Sequence, residues 1–129
     1  MSDKLHLILT SGTREKLQMA GMMAAVAAVT NTEVSVFLSM NALTYFIKGR
    51  DKQAPAEGEL GKLMNEKNVP NFTDLFKQAV DLGDAHIYPC SMAMDVLGVT
   101  EDDLDPHLEK PMGLTKFLDG IEGSHVLTF

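Results

Sequence analysis

The sequence predicts an α/β fold of three layers, α/β/α, around a mostly parallel sheet of four or five strands. Short apolar runs alternate along the chain with longer segments whose apolar residues recur at helical spacing. This alternation is typical of parallel sheets, because right-handed crossovers place helices over the sheet faces. The 129 residues show no internal repeat and no shift of composition, so we expect a single domain over residues 1–129.

The first part of the chain is predicted to be strand, helix, strand. Residues 5–9 (LHLIL) are mostly apolar, and residues 34–38 (VSVFL) are β-branched and aromatic, as is typical of strands. Residues 13–29 are rich in Ala and Met and predict a helix. Thr13 stands where it can cap that helix, and Glu15 lies in its first turn, where a carboxylate is favourable.

The middle of the chain is predicted to be helical around one long loop. Residues 42–47 predict a short helix, and residues 49–58 are polar with Gly at both ends, which indicates a loop. Apolar residues then recur at helical spacing over residues 60–64 and again over residues 72–80. Gly83 follows the second of these segments and is predicted to end that helix.

The last part of the chain is predicted to return twice to the sheet. Residues 85–88 form a third strand, which we expect to be central together with the first two, and residues 91–97 form the helix after it. Residues 114–121 have the spacing of an amphipathic helix, and residues 126–129 form the closing strand. Whether residues 104–112 add a fifth strand is left open.

Charge and composition exclude several classes of function. Eleven basic against 18 acidic residues give a net charge of −7, which argues against a nucleic-acid partner. A single cysteine excludes an intrachain disulfide and any metal site that needs two thiolates within the chain. Neither GxxxxGK[ST] nor GxGxxG is present, so we predict no nucleotide cofactor, and no metal is predicted.

One apolar segment tests whether the chain is a membrane protein. The unbroken apolar stretch over residues 19–29 is 11 residues long, well short of the roughly 20 that a spanning helix needs. The first residues also lack the basic and apolar regions of a secretory signal. We therefore expect no membrane span and a cytoplasmic protein.

The predicted topology places a candidate site at one edge of the sheet. In open parallel sheets, ligands bind beyond the carboxyl ends of the strands, and short polar segments follow the predicted strands there. The candidate pocket residues are Ser11, Gly12, Thr13, Asn41, Ser91 and Met92. The only cysteine, Cys90, falls at this edge and at the start of a helix, where N–H groups and the helix dipole favour a thiolate, the nucleophilic form.

Three other interpretations of these residues stay open. A lone cysteine is often a small buried hydrophobe rather than a nucleophile. His86 shares a strand face with Tyr88 and Cys90 only if the strand is regular, and it is more simply a core or surface histidine. Methionines such as Met92 could bind Cu(I) together with a thiolate, although methionines at helical spacing are usually core or contact residues.

Three blocks of the chain resemble the DsrE/DsrF-like sulfur-relay family, and in particular its peroxiredoxin-like branch. The most specific block is residues 90–98 (CSMAMDVLG), which is similar to Cys-x-Met-Ser-Met-Asp-x-x-Gly of that branch, with Ala93 in place of the serine. The second block is the opening strand with Ser11-Gly12 and the segment through residues 33–37. The third is residues 113–129, a helix followed by a closing strand.

This resemblance implies a three-layer domain that assembles into homo-oligomers and a cysteine, Cys90, that accepts sulfur as a persulfide and passes it to a partner thiol. A two-cysteine peroxidase cycle cannot run within this chain, because no second cysteine can resolve a sulfenate. Sulfur donor and acceptor proteins are the implied partners. The alternative function is a non-catalytic oligomeric module that binds a small ligand or regulates a partner.

A homo-oligomer is also predicted from the first helix alone. Residues 19–29 contain no polar side chain, whereas an ordinary surface helix has a polar face. Part of this helix therefore needs a cover beyond its own sheet, and we expect it, or the Met-rich segment, to lie near the contact.

Overall fold

The sheet has four strands, all paired in parallel. The computed structural model describes residues 3–50 and 53–129. Its strands are β1 (Lys4–Leu9), β2 (Glu33–Leu38), β3 (His86–Pro89) and β4 (Ser124–Thr128), in the order β3-β2-β1-β4. The predicted α/β fold with a parallel sheet is therefore confirmed. The expectation that the third strand is central is wrong, because β3 lies at an edge of the sheet.

In residues 3–50 and 53–129, six α-helices connect and cover the strands. They are α1 (Arg14–Val29), α2 (Met40–Leu43), α3 (Glu59–Glu66), α4 (Phe72–Gly83), α5 (Ser91–Leu97) and α6 (Leu114–Asp119). Helix α1 contacts the two inner strands and α4, on one face of the sheet. On the opposite face, Phe117 of α6 packs with its ring centroid 5.1 Å from that of Phe37 of β2. Helices thus lie on both sides of the sheet.

Several predicted elements differ in detail. The helix predicted over residues 42–47 is α2 followed by a single 3₁₀ turn, Thr44–Phe46. Helix α6 ends at Asp119, two residues earlier than predicted, because Gly120 caps it. Residues 104–112 add no strand. They contribute only isolated bridges, of which Cys90 to Met112 is one.

Two predictions about helix ends are corrected. The Thr13 side chain makes no hydrogen bond to the start of α1, whose first N–H, that of Arg14, donates instead to the carbonyl of Pro55 at 2.9 Å. Gly83 is the last residue of α4, and the left-handed residue that ends the helix is Asp84, with φ of 55°. The structure does not describe residues 1–2 at the chain start or residues 51–52 of the predicted loop, so the predictions for these four residues lie outside the described residues.

Helices α1 and α4 approach closely because small residues line their contact. A Cβ atom built on Gly21 would lie 3.2 Å from Cβ of Leu75, and one built on Gly83 would lie 2.4 Å from Cβ of Ala28. Since Gly21 and Ala28 lie in the same order along α1 as Leu75 and Gly83 along α4, the two helices run parallel. The contact between these two helices is the most extensive between any two elements of the described residues.

Helix α3 is held at both ends by consecutive residues of α1. The Glu15 carboxylate accepts N–H bonds from Glu57, Gly58 and Gly61 at 2.8, 2.7 and 3.2 Å. Arg14, which is 3% exposed, donates to the Asn65 side chain at 2.9 Å and to two carbonyls beyond the helix end. The negative side chain meets the positive end of the α3 dipole and the positive side chain meets the negative end, an arrangement that is favourable at both termini.

The outer face of α1 is apolar and exposed. The four large side chains on this face are Met19, Met22, Val26 and Val29, exposed by 51, 46, 63 and 56%. Of the eleven residues of the polar-free segment noted in the sequence, four are buried, four are exposed and three are partly buried. Within the described residues no helix combines the length and the hydropathy needed to cross a bilayer.

Candidate functional site

Cys90 joins β3 to α5 and is nearly buried. It is the residue immediately before the helix, as predicted, and it is 4% exposed. Its N–H donates to the carbonyl of Leu38 at 2.8 Å, and its carbonyl accepts from the N–H of Met94 at 3.0 Å. Cys90 therefore occupies the carboxyl edge of the sheet beside the end of β2.

A second segment closes over this edge from the other side. The N–H of Ser91 donates to the carbonyl of Met112 at 3.1 Å, and the N–H of Met112 donates to the carbonyl of Pro89 at 3.1 Å. Cys90 and Met112 thereby form a parallel bridge. The Cys90 side chain makes no hydrogen bond to the first turn of α5, so the predicted stabilisation of the sulfur by helix N–H groups is not made as a direct bond in this conformation.

The turn after β1 packs against the start of α2. A Cβ atom on Gly12 would lie 2.9 Å from Cβ of Asn41, so only glycine allows this approach without movement. The hydroxyl of Tyr45 donates to the carbonyl of Gly12 at 2.7 Å, and burial raises the pKa of this phenol, which keeps it a donor. Two of the predicted site residues, Gly12 and Asn41, are thus in contact.

Ser11 and Thr13 turn toward the loop before α3. The hydroxyl of Thr13 donates to the carboxylate of Glu57 at 2.5 Å and lies 3.0 Å from the hydroxyl of Ser11. These two predicted site residues bond to each other, Thr13 alone bonds to Glu57, and neither residue lines the groove described next.

An apolar groove of about 290 Å³ runs between α2 and α5. Two predicted site residues, Asn41 and Met92, line it together, but Cys90, Ser91 and the turn after β1 do not. The lining residues that the sequence did not single out for the pocket are Met40, Thr44, Ala93, Val96 and Leu97. An exposed apolar residue on a short helix, such as Val96, cannot be distinguished from a core residue by sequence spacing alone.

Met40 stands in the groove with an uncommon backbone conformation. Its φ is 50°, in the left-handed region that residues other than Gly, Asn and Asp seldom adopt, and its side chain is 53% exposed. No sequence signal marks methionine for such a position. Strained backbone conformations are found preferentially at binding sites. In this groove the residue with such a conformation is Met40, at the start of α2.

The side chain of His86 contacts Tyr88 and Glu109. Its ring stacks on that of Tyr88 with centroids 6.2 Å apart, which confirms that the two side chains share a face of β3. Its Nδ1 lies 3.5 Å from a carboxylate oxygen of Glu109. Among residues 3–50 and 53–129, no cluster of three or more His, Cys, Asp or Glu side chains could hold a metal ion.

Comparison with known proteins identifies both a family and a fold. A sequence model of the DsrE/DsrF/DrsH-like family matches residues 56–129 of this chain, which include Cys90 and α5. No curated protein sequence matches the chain significantly. The finer assignment to the peroxiredoxin-like branch stays a prediction.

Two solved structures share the fold over nearly the whole chain. The ychN protein from E. coli matches with a TM-score of 0.63 and 18% identity, covering 98% of this chain and 99% of its own. Protein MTH1491 from Methanobacterium thermoautotrophicum, described as a protein of unknown function, matches with a TM-score of 0.61 and 12% identity, covering 99% and 98%. At these identities the likeness establishes the fold alone.

Proposed function

Because the chain belongs to the DsrE/DsrF/DrsH-like family, we propose that it relays sulfur as a persulfide on Cys90. Membership of this family suggests sulfur relay at a coarse level. The observation that carries the finer proposal is the position of the only cysteine, at the carboxyl edge of the parallel sheet and at the start of α5, inside the matched region. Ligands of parallel α/β folds bind at this edge.

The proposed chemistry is two thiol exchange steps without net oxidation. The Cys90 thiolate attacks the outer sulfur of a donor persulfide, which forms an S–S bond on Cys90 and releases the donor thiolate. An acceptor thiolate then attacks the terminal sulfur of the Cys90 persulfide. The acceptor leaves as a persulfide, and the Cys90 thiolate is regenerated.

Access to Cys90 requires a local opening. The thiol is 4% exposed, and the segment that carries Met112 bonds to the residues on either side of it. This segment has no regular secondary structure, and two backbone hydrogen bonds hold residue 112 in place. Segments of this kind open at a lower free energy than the core, so we propose that donor and acceptor reach Cys90 when the Met112 segment lifts.

Intact mass spectrometry tests the proposal. Folded protein exposed to inorganic polysulfide is expected to gain the mass of one or more sulfur atoms, removed by dithiothreitol, and Cys90→Ser is expected to gain none. The variant should fold, with a loss of stability of about 1 kcal/mol, because the two side chains are similar in size. Cys90→Ala provides a second thiol-free variant that adds no buried hydroxyl.

Two results would contradict the sulfur-carrier function. One is a folded wild-type protein that reacts with neither polysulfide nor iodoacetamide, yet reacts with both in denaturant. The other is a persulfide that forms on Cys90 but is never passed to an added thiol. Either outcome would favour the alternative, a small-ligand-binding or regulatory module, for which the apolar groove at Asn41 and Met92 is the candidate site.

We further propose that the chain forms a homo-oligomer through the outer face of α1. The exposed residues Met19, Met22, Val26 and Val29 follow each other at spacings of three, four and three, which is the spacing of a helix-to-helix seam. A second copy of the same uncharged stripe is the partner that this pattern fits best.

The proposed compartment is the cytoplasm, where a lone thiol stays reduced.

Sedimentation tests the assembly. The wild-type protein is expected to sediment at micromolar concentration as a species of at least twice 14.1 kDa, and Val26→Glu is expected to shift it toward the monomer. Val96→Glu, at another exposed apolar position on α5, is the matched control and should leave the assembly unchanged. A wild-type protein that stays monomeric would refute the proposal.

A further inference from the structure

The sheet face opposite α1 carries a pocket of about 210 Å³ that is separate from the groove between α2 and α5. Helix α6, only six residues long, covers this face with a single buried side chain, Phe117. The pocket lies beside that ring and opens over the first residues of β1 and β2. Prominent among its lining residues are Lys4, His6, Ser35, Tyr88, Lys116 and Phe117.

Two lysines and two hydroxyl groups of this pocket have no polar partner among the described residues. Within the described part of the chain, neither Lys4 nor Lys116 forms an ion pair. The hydroxyls of Ser35 and Tyr88 likewise make no hydrogen bond to residues 3–50 or 53–129. Polar groups that line a concave surface without protein partners are available to a ligand.

One buried side chain of the pocket is held in a fixed orientation. His6 is 7% exposed, and its Nδ1 lies 2.6 Å from the hydroxyl of Ser124 on β4. Its ring meets that of Phe117 edge to face with centroids 5.1 Å apart. These contacts leave Nε2 on the side of Gly120, which also lines the pocket.

Charge makes the pocket favourable for an anion. The residues that line the pocket include two lysines and one carboxylate, that of Glu33, and so carry a net positive charge; a second carboxylate, that of Glu109, acts on Tyr88 from outside the lining. Burial lowers the pKa of His6, which keeps this ring neutral at pH 7. Burial, with the charges of Glu109 and Glu33, raises the pKa of Tyr88, so its phenol stays a hydrogen-bond donor.

Shape and chemistry together define the ligand class. The partly exposed ring of Tyr88 supplies an apolar wall beside the buried ring of Phe117, whose centroid is 6.3 Å away, and the lysines supply cations. The volume of about 210 Å³ is below the roughly 300 to 1,000 Å³ of sites for drug-sized ligands. We propose that this pocket binds a small aromatic carboxylate, with its ring against Tyr88 and its carboxylate bound by Lys4 and Lys116.

Benzoate is the probe for this site. Titration of the full chain, followed by amide chemical shifts, is expected to give saturable binding with the largest shifts at the residues that line the pocket. Benzamide, which has the same shape without the charge, should bind up to about fivefold more weakly, as should benzoate on Lys116→Met, because an exposed charge pair contributes up to about this factor. Lys62→Met, an exposed lysine of α3 outside the pocket, is the control with the same change of net charge and should leave binding unchanged.

The outcomes separate this proposal from the relay function. Cys90→Ser should bind benzoate as the wild type does, so a failure of persulfide formation leaves the anion site standing. No saturable shifts, equal binding of benzamide, or equal weakening by Lys62→Met and Lys116→Met would each overturn the proposal. Shifts confined to the groove at Asn41 and Met92 would overturn it as well, since they would place the probe elsewhere.

Discussion

Gly83→Ala is expected to lower the free energy of unfolding by about 2 to 3 kcal/mol, the upper part of the range for overpacked cores. A Cβ atom at this position would lie 2.4 Å from Cβ of Ala28 and 2.6 Å from its carbonyl carbon and oxygen. Two of these three atoms are backbone, so a rotamer change cannot relieve the clash. Helix α1 or α4 must move, and the most extensive contact between two elements of the described residues loosens.

Urea unfolding followed by circular dichroism measures this effect, since the chain has no tryptophan. Gly113→Ala is the matched control. Its φ is −83°, and the nearest side chain, that of Ser91, is 4.0 Å from the added Cβ, so we expect a change below about 1 kcal/mol. If the two variants were equally stable, the close approach of α1 and α4 would be wrong.

Gly83 also illustrates why the sequence predicts some features and not others. A glycine at the end of a helical pattern is ordinarily interpreted as the residue that ends the helix. Here the left-handed conformation belongs to Asp84, and Gly83 is required by its distance from Ala28, a residue 55 positions earlier in the chain. Local spacing predicts the helix correctly, but a contact between distant segments assigns the glycine its role.

At the candidate site, too, local spacing predicts the elements, whereas contacts between distant segments are not predicted. The alternation of apolar runs predicts the order of the elements and places Cys90 at a strand end and a helix start, as the structure has it. It does not predict that residues 109–112 run beside β3, because Glu109 reaches Ile87 through a backbone hydrogen bond of 2.7 Å that no side-chain pattern records. The sequence alone therefore leaves out the segment that forms a bridge with Cys90.

The pocket proposed to bind an anion could not be predicted from the sequence either, because it depends on how distant segments pair. His6 and Ser35 lie in strands that are otherwise apolar, and polar residues on one face of a strand are usually solvated. Only the parallel register, which pairs His6 with Ser35, and the short α6 above them turn these residues into the wall of a cavity. The lysines that complete it come from opposite ends of the chain.

The second large effect is expected at Arg14. Arg14→Met should destabilise the protein by about 2 kcal/mol. Each hydrogen bond from a charged donor contributes about 1.5 to 3 kcal/mol, and three such bonds are lost, but the variant also avoids the free-energy cost of burying the guanidinium. The lost bonds are those to Asn65 at 2.9 Å and to the carbonyls of Val69 and Pro70 at 3.2 and 3.3 Å. They hold the carboxyl end of α3.

Hydrogen exchange distinguishes this role from general loss of stability. Helix α3 buries little, with Leu60 66% exposed, so its amides should lose protection in Arg14→Met well before those of α4 do. Lys16→Met is the matched control. Lys16 is mostly exposed, and its one ion pair within the described residues is with Glu57 at 3.5 Å, so its removal should change stability by less than about 1 kcal/mol. Equal loss of protection in α3 and α4 would show that Arg14 does not act on α3 specifically.

The other end of α3 adds a pH dependence with a definite sign. The backbone N–H groups of Glu57, Gly58 and Gly61 lower the pKa of Glu15 below its ordinary value of 4.5. A carboxyl with a lower pKa in the folded state stabilises that state above its unfolded pKa, and the contribution is lost as the pH falls through the folded value. Protection of α3 in the wild type should therefore decline below about pH 4.5, and Glu15→Gln should remove that decline while starting from a lower level. A wild-type α3 whose protection is unchanged at acid pH would show that the Glu15 carboxylate does not hold this helix.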